Sequence, residues 1–232
     1  MGVYQNGGVL FHKLQLWMDD QSRSGPEAMA IDEWLLETIV CPVLRVYSWE
    51  GEWGSIGYFG KIAEARNLFP GLDMVRRWTG GGIVDHRNDW TYTLVVPKDE
   101  FLAKLRGAES YLRIHEKLME TINNEANQVR LSNGSQVTGA NVCFENPVAY
   151  DLVDSSGRKV AGAGQRRSRL GLLHQGSVAY PCSDTAGARE RAEDLAGALS
   201  DTWSNFAQLP DRKSIDLKIA ARYERIEWLN RR

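Results

Sequence analysis

The sequence predicts an α/β fold with a mixed, largely antiparallel central sheet flanked by helices, in one domain spanning residues 1–232. Three observations lead there: a length suited to one core, an order of elements that alternates helices with runs of strands, and a turn-rich stretch from Val129 to Tyr180. The 232 residues exceed the usual domain size of about 100 to 150 but remain within reach of one α/β unit. Hydrophobic residues at 43% and charged residues at 25% exclude a disordered or collagenous chain.

The first helix is announced by Ser24 and Gly25 ahead of Pro26 and Glu27, with Ile31, Leu35 and Ile39 repeating every four residues beside Trp34. Val43 to Tyr47 reads as a strand, followed by a Gly- and Trp-rich connection, Trp49 to Gly57, with the composition of a binding loop. Met74 to Trp78, Thr79-Gly80-Gly81-Gly82 and Thr91 to Val96 read as strand, glycine turn and strand, closed by Pro97. A second helix is expected from Ser110, as its cap, to about Ala126, with Tyr111, Leu118, Met119 and Ile122 on one side. From Val129 to Tyr180, short β segments separated by Asn-Gly, Asn-Pro and Ser-Ser-Gly turns suggest an antiparallel meander. Beyond it the chain reads as helical, with Leu195, Leu199 and Trp203 and then Ile215, Ile219, Tyr223 and Ile226 at helical intervals.

Lys and Arg number 28 against 30 Asp and Glu, a formal charge of −2. No global positive field is present to hold a nucleic-acid backbone, so no nucleic-acid partner is expected. No run approaches the roughly 18 to 20 apolar residues of a membrane span, so no membrane partner is expected either. Met1 to Asn6 lacks the apolar core of a signal peptide, and Asn6 stands where myristoylation wants Ser or Thr; a cytoplasmic protein is expected. Cys41, Cys143 and Cys182 are widely spaced and form no C-x-x-C pair, so neither disulfide nor metal site is anticipated.

Three segments have the residue types of a chemical site. Arg76-Arg77-Trp78-Thr79-Gly80-Gly81-Gly82 combines guanidinium charge with backbone that an anion or acyl carbonyl can approach closely; a glycine triplet is otherwise a turn or bulge. His86 follows it, read alone as a structural histidine. Between Gly157 and Gly176 stand Arg158, Lys159, Arg166, Arg167 and Arg169 with no Asp or Glu, either a solvated hairpin face or a local positive patch. Ala161, Gly162, Ala163 and Gly164 leave room against Lys159, whose ammonium can polarise a carbonyl. Cys143 precedes an Asn-Pro turn; a lone cysteine is usually a small buried hydrophobe, but beside Lys159 its thiolate would be favoured as a nucleophile.

Taken together, Met29-Ala30-Ile31-Asp32, Leu44 to Trp49, Arg76 to His86, and Lys159-Val160-Ala161-Gly162 through His174-Gln175-Gly176 resemble the lipoate-protein ligase and octanoyltransferase family, related to the biotin protein ligases. The likeness runs in order from about residue 12 to residue 181. It implies that family's catalytic-domain fold and the placing of an octanoyl or lipoyl group on a lysine of a lipoyl domain, in 2-oxoacid dehydrogenases or a glycine cleavage protein. It implies Lys159 as the essential lysine, and Arg76, Gly80, Gly81, Gly82, His86, Gly162, Ala163, His174 and Gly176 as substrate contacts. Arg87 departs from the pattern, which has an acidic residue after the histidine.

Two branches of that family differ in chemistry. The ligases use ATP, with Mg, to make lipoyl-AMP and generally need an accessory domain or subunit; the residues after the meander look too few for one. The transferases take the acyl group from acyl carrier protein, or another lipoyl domain, onto a cysteine and need no ATP. Cys143-Phe144-x-x-Pro147-x-x-Tyr150-Asp151-Leu152-Val153 looks like the transferase nucleophile segment, which makes Cys143 and Lys159 the expected catalytic pair.

Overall fold

The computed structural model describes residues 8–125, 128–134, 148–182 and 184–231. Among these residues eight strands form the main sheet and three form a smaller one. The chain opens with β1 (Phe11–Arg23), then α1 (Gly25–Thr38), β2 (Val43–Trp49), β3 (Trp53–Ile56), α2 (Ile62–Leu68), β4 (Asp73–Arg76), β5 (Ile83–Asp85) and β6 (Trp90–Pro97). The short α3 (Phe101–Lys104) and the long α4 (Gly107–Asn124) follow, then β7 (Arg130–Leu131), β8 (Leu152–Val153), β9 (Lys159–Ser168) and β10 (Gly171–Val178). The chain continues with α5 (Thr185–Leu199), β11 (Ser200–Asn205), α6 (Arg212–Lys218), a π-helical turn (Ile219–Tyr223) and α7 (Ile226–Leu229).

The main sheet runs in the order β11-β1-β2-β6-β10-β9-β8-β7. Its first two pairings are parallel and the other five antiparallel, the mixed, largely antiparallel sheet that the sequence predicts. The smaller sheet, β4-β3-β5, packs beside it. Alternation along the strands divides the core. Leu94 and Val96 of β6 join Ile114, Leu118 and Ile122 of α4 and Leu195 of α5, whereas Val95 faces Ile31 and Leu35 of α1 with Ile215 of α6. Each such fully buried aliphatic side chain contributes about 1.5–3 kcal/mol over its exposed state.

α1 begins as expected: the Ser24 side chain accepts from the Glu27 amide, and Pro26 lies in the first turn, where its missing N–H is not needed. The meander is also present, as β7 to β10. Four readings need correction. The Trp49–Gly57 connection contains strand β3. The glycine turn joins β4 to β5, both in the small sheet, and not to β6. α4 starts three residues before Ser110, which lies inside the helix and donates to the Gly107 carbonyl. Trp203 belongs to β11, which pairs with β1, so the helical spacing from Leu195 stops at Leu199. Among the described residues no helix is long and apolar enough to cross a membrane.

Candidate functional site

The glycine loop is set by two adjacent arginines whose side chains part to opposite faces, as strand geometry requires. Arg76 points away from the loop and is fully buried. Its guanidinium donates to the carbonyls of Gly57 (3.0 Å), Tyr58 (2.9 Å) and Gly60 (2.8 Å) on one side. On the other it donates to those of Trp228 (2.9 Å), Leu229 (2.7 Å) and Arg231 (2.9 Å). Arg77 turns inward instead, donating to Ser55 Oγ at 2.5 Å and to the Gly82 carbonyl at 2.8 Å. Gly81 has φ of +96°, a backbone state that only glycine adopts freely, and carries the chain past Arg77 and against β9.

β9 brings Lys159 to the other side. Its Nζ lies 2.8 Å from Asp151 Oδ2, and both side chains are almost wholly buried. Asp151 also accepts from the Tyr111 hydroxyl at 2.5 Å and the Val148 amide at 2.7 Å; the Tyr111 hydroxyl in turn accepts from the Ala163 amide at 2.8 Å. A methyl group on Gly162 would lie 2.3 Å from Lys159 Cε, so the absence of a side chain there is what lets the lysine extend. His174 and His115 stand behind this pair. Burial holds His174 well below the usual imidazole range and lowers His115 to about 4. His174 is occupied by Gln165 (3.0 Å) and Tyr92 (3.1 Å).

Between loop and lysine lies a narrow, partly open cleft. Of the expected contacts, Gly81, His86, Gly162, Ala163 and Gly176 line it. Lys159 lies directly behind Gly162, and Gly80 abuts Gly164. Gly82 accepts from the Gly57 amide. Arg76 and His174 face elsewhere, Arg76 into backbone carbonyls and His174 into the layer behind the sheet. Cys143 lies outside the described residues. The basic stretch is not one face: Lys159 is buried, Arg167 donates to the Leu105 carbonyl at 3.1 Å, and Arg166 stacks on Trp78 at 4.2 Å. Among the described residues no group of three or more His, Cys, Asp or Glu is placed to hold a metal.

Gln175 was not anticipated as a site residue, although its motif was. Its amide donates to Asp32 Oδ2 at 2.7 Å and accepts from Thr79 Oγ1 at 2.7 Å, which ties the cleft floor to the glycine loop. Asp32 is itself gripped by Arg45 at 2.7 Å, and Arg45 by Asp19 at 2.7 Å. Burial pushes the Asp32 carboxyl up against the opposing pull of Arg45, Gln175 and Thr93. Gly176 is a packing constraint: its Cβ would fall 2.2 Å from the Tyr92 ring, which is held at its hydroxyl by His174. Gly176→Ala is expected to lower stability by about 1–3 kcal/mol through overpacking, measured as a lower urea midpoint.

Comparison with known proteins places this geometry. Residues 24–199 match the family model described as lipoyl protein ligase A/B catalytic domain. The chain is 36% identical over 178 residues to octanoyltransferase LipM of Carboxydothermus hydrogenoformans, covering 71% of this chain and 65% of that one. It is 31% identical over 182 residues to octanoyltransferase LipM of Bacillus subtilis, covering 70% and 64%. The chain thus spans just under two thirds of the length of these relatives. Among solved structures it is similar to lipoate-protein ligase A bound with ATP, with a TM-score of 0.71, 16% identity and coverage of 94% and 98%. It is also similar to a bi-partite lipoate protein ligase from Thermoplasma acidophilum, with a TM-score of 0.66, 17% identity and coverage of 95% and 96%. The model match takes in α1, the glycine loop, the buried lysine and the cleft between them, and the chain belongs to the lipoyl protein ligase A/B catalytic-domain family.

Proposed function

We propose that the chain is an octanoyl or lipoyl transferase acting in protein lipoylation, with Cys143 as nucleophile and Lys159 as the cation that stabilises the oxyanion. The observation that carries this reading is the buried Lys159–Asp151 pair at 2.8 Å directly behind Gly162 of the cleft wall, in a chain whose curated relatives are named octanoyltransferases. Asp151 offsets the cost of burying the ammonium, and a cation in a water-poor wall acts strongly on charge that develops beside it. Arg77 and the glycines supply the facing wall, while Arg76 has a positioning role beneath them.

In this reading the Cys143 thiolate attacks the carbonyl of a donor thioester. The carbon–sulfur bond to the donor breaks, the donor leaves as its thiolate and takes a proton from water, and the acyl group rests on Cys143. The neutral amine of the acceptor lysine then forms the amide, giving up one proton to water, as the bond to Cys143 breaks and the sulfur departs as thiolate. Both steps run from thioester without ATP, and the final amide makes the sequence downhill. The donor is read as acyl carrier protein or another lipoyl domain and the acceptor as a lipoyl domain, in the cytoplasm. Arg166, stacked on Trp78 at 4.2 Å beside the glycine loop, is the cation offered here to an acidic carrier.

Incubation with octanoyl-carrier protein and an apo lipoyl domain, without ATP, tests this. Intact mass should show acceptor modification and, before acceptor is added, an octanoyl adduct that Cys143→Ser loses. An undiminished adduct in that variant removes Cys143 from the mechanism. Transfer only when ATP and free lipoate or octanoate are supplied makes the chain a ligase.

A further inference from the structure

One buried carboxylate beside the cleft has no part in the mechanism above. Asp89 sits in the turn before β6 with its side chain 2% exposed, and its Oδ2 lies 2.7 Å from His86 Nδ1. The same carboxylate accepts from Thr91 Oγ1 at 3.1 Å and from the Ser177 hydroxyl. Thr91 in turn accepts from the Trp49 indole at 2.9 Å, and Trp49 stacks on the His86 ring at 4.1 Å. His86, Thr91, Ser177 and Trp49 all line the cleft. Three lining residues, from the β5–β6 turn, β6 and β10, therefore meet at one carboxylate that does not itself line the cleft, and Trp49 of β2 is tied to it through Thr91.

The far side of His86 is fixed as well. Its Nε2 lies 2.6 Å from Ser55 Oγ, the atom to which Arg77 donates, and Arg77 holds the carbonyl of Gly82. The distances from Ser55 to His86 to Asp89 are those of a nucleophile triad, but Ser55 is fully buried and its oxygen accepts a hydrogen bond from Arg77, so this arrangement orients groups and does not attack. The residue directly after the histidine cannot supply the carboxylate: Arg87 is turned outward and pairs with Asp85 at 2.6 Å.

We infer that Asp89 is the positioning residue for the His86 wall of the cleft: it fixes the imidazole with Nδ1–H toward the carboxylate and Nε2 toward Ser55, and holds Thr91 and Trp49 in register with it. A carboxylate on one ring nitrogen sets which nitrogen carries the proton, and the chain through Ser55 and Arg77 passes that orientation to the glycine loop. The inference concerns the same cleft as the proposed transfer and relies on that reading only for its kinetic test.

The test uses the whole chain, labelled with 15N at its four histidines, and the variants Asp89→Asn, Arg87→Ala and Thr91→Val. The parent should show His86, assigned by the signal lost in His86→Gln, as the Nδ1–H tautomer. Asp89→Asn should move it toward Nε2–H and lower kcat/KM for octanoyl transfer by about 10- to 100-fold. Arg87→Ala should change neither. Thr91→Val, which removes the hydroxyl's bonds to Trp49 and to Asp89 but leaves the His86–Asp89 contact in place, should keep the tautomer and raise KM, and it serves as the second variant if Asp89→Asn does not fold. An unchanged tautomer and rate in Asp89→Asn, or an unchanged KM in a folded Thr91→Val where that variant stands alone, overturns the inference. A tautomer change in a protein whose parent shows no transfer leaves Asp89 in place and rejects the transferase reading instead.

Discussion

Replacing Lys159 with glutamine is expected to lower acyl transfer by about 100- to 1,000-fold, the loss seen when one donor to a developing oxyanion is removed. Glutamine keeps much of the side-chain length and a hydrogen-bond donor but not the charge, so the loss reports charge stabilisation and not a hole in the wall. The substitution also leaves Asp151 buried without its cation, at a cost of about 3–5 kcal/mol in stability. The two effects separate in the double variant Lys159→Gln, Asp151→Asn, which restores a neutral buried pair. Its urea midpoint should recover toward that of the parent while transfer stays low. Single-turnover rates at matched folded fraction are the measurement, and a Lys159→Gln protein that retains more than a tenth of the parent rate contradicts the assigned role.

Gly162→Ala should give a comparable loss of transfer by a different route. The added methyl group would sit 2.3 Å from Lys159 Cε and 2.4 Å from Nζ, closer than atoms approach, and it is the flexible end of the lysine that must yield. Moving a reacting group by about 1 Å costs on the order of 100-fold in rate. The backbone of β9 has no need to shift, so the stability cost stays near the lower end of the 1–3 kcal/mol or so of an overpacked site. Low transfer together with a nearly parental melting temperature is the expected signature. Equal loss of both would mean that the strand, not the lysine, gives way.

Much of this arrangement is legible in the sequence because the features are local. Ser24 and Pro26 announce α1, the turns between Val129 and Tyr180 announce the meander, and the small residues after Lys159 mark the close approach on β9. What escapes is decided by partners far along the chain. β1 carries Asp19-Asp20-Gln21-Ser22-Arg23 at its end, a polar run without alternation, and becomes a strand because β2 and β11 pair with it on either side. β11 continues the four-residue spacing of α5 and is extended because β1 offers it an edge. At the site, Arg76 and Arg77 are neighbours of equal charge, and only the pleat of β4 decides which one reaches the cleft. Tyr111 and Gln175 give no signal of their own; the first is one of several apolar-looking positions on α4, and the second becomes informative only with Asp32 and Thr79 on either side of it.

The anchoring of Arg76 bears on the order in which the molecule is assembled. Its carbonyl acceptors include Leu229, 153 residues later in the chain, and the pairing of β1 with β11 joins His12 to Asp201 across 189 residues. Contacts of such separation close slowly, because the intervening chain must be ordered before they are rewarded. During synthesis, which proceeds from the N-terminus, the small sheet and its glycine loop emerge long before the α7 carbonyls that hold them from beneath. The cleft therefore acquires its final shape only after nearly all of the described chain has been made, and a nascent chain lacking β11 and α7 presents an open sheet edge and an unanchored loop.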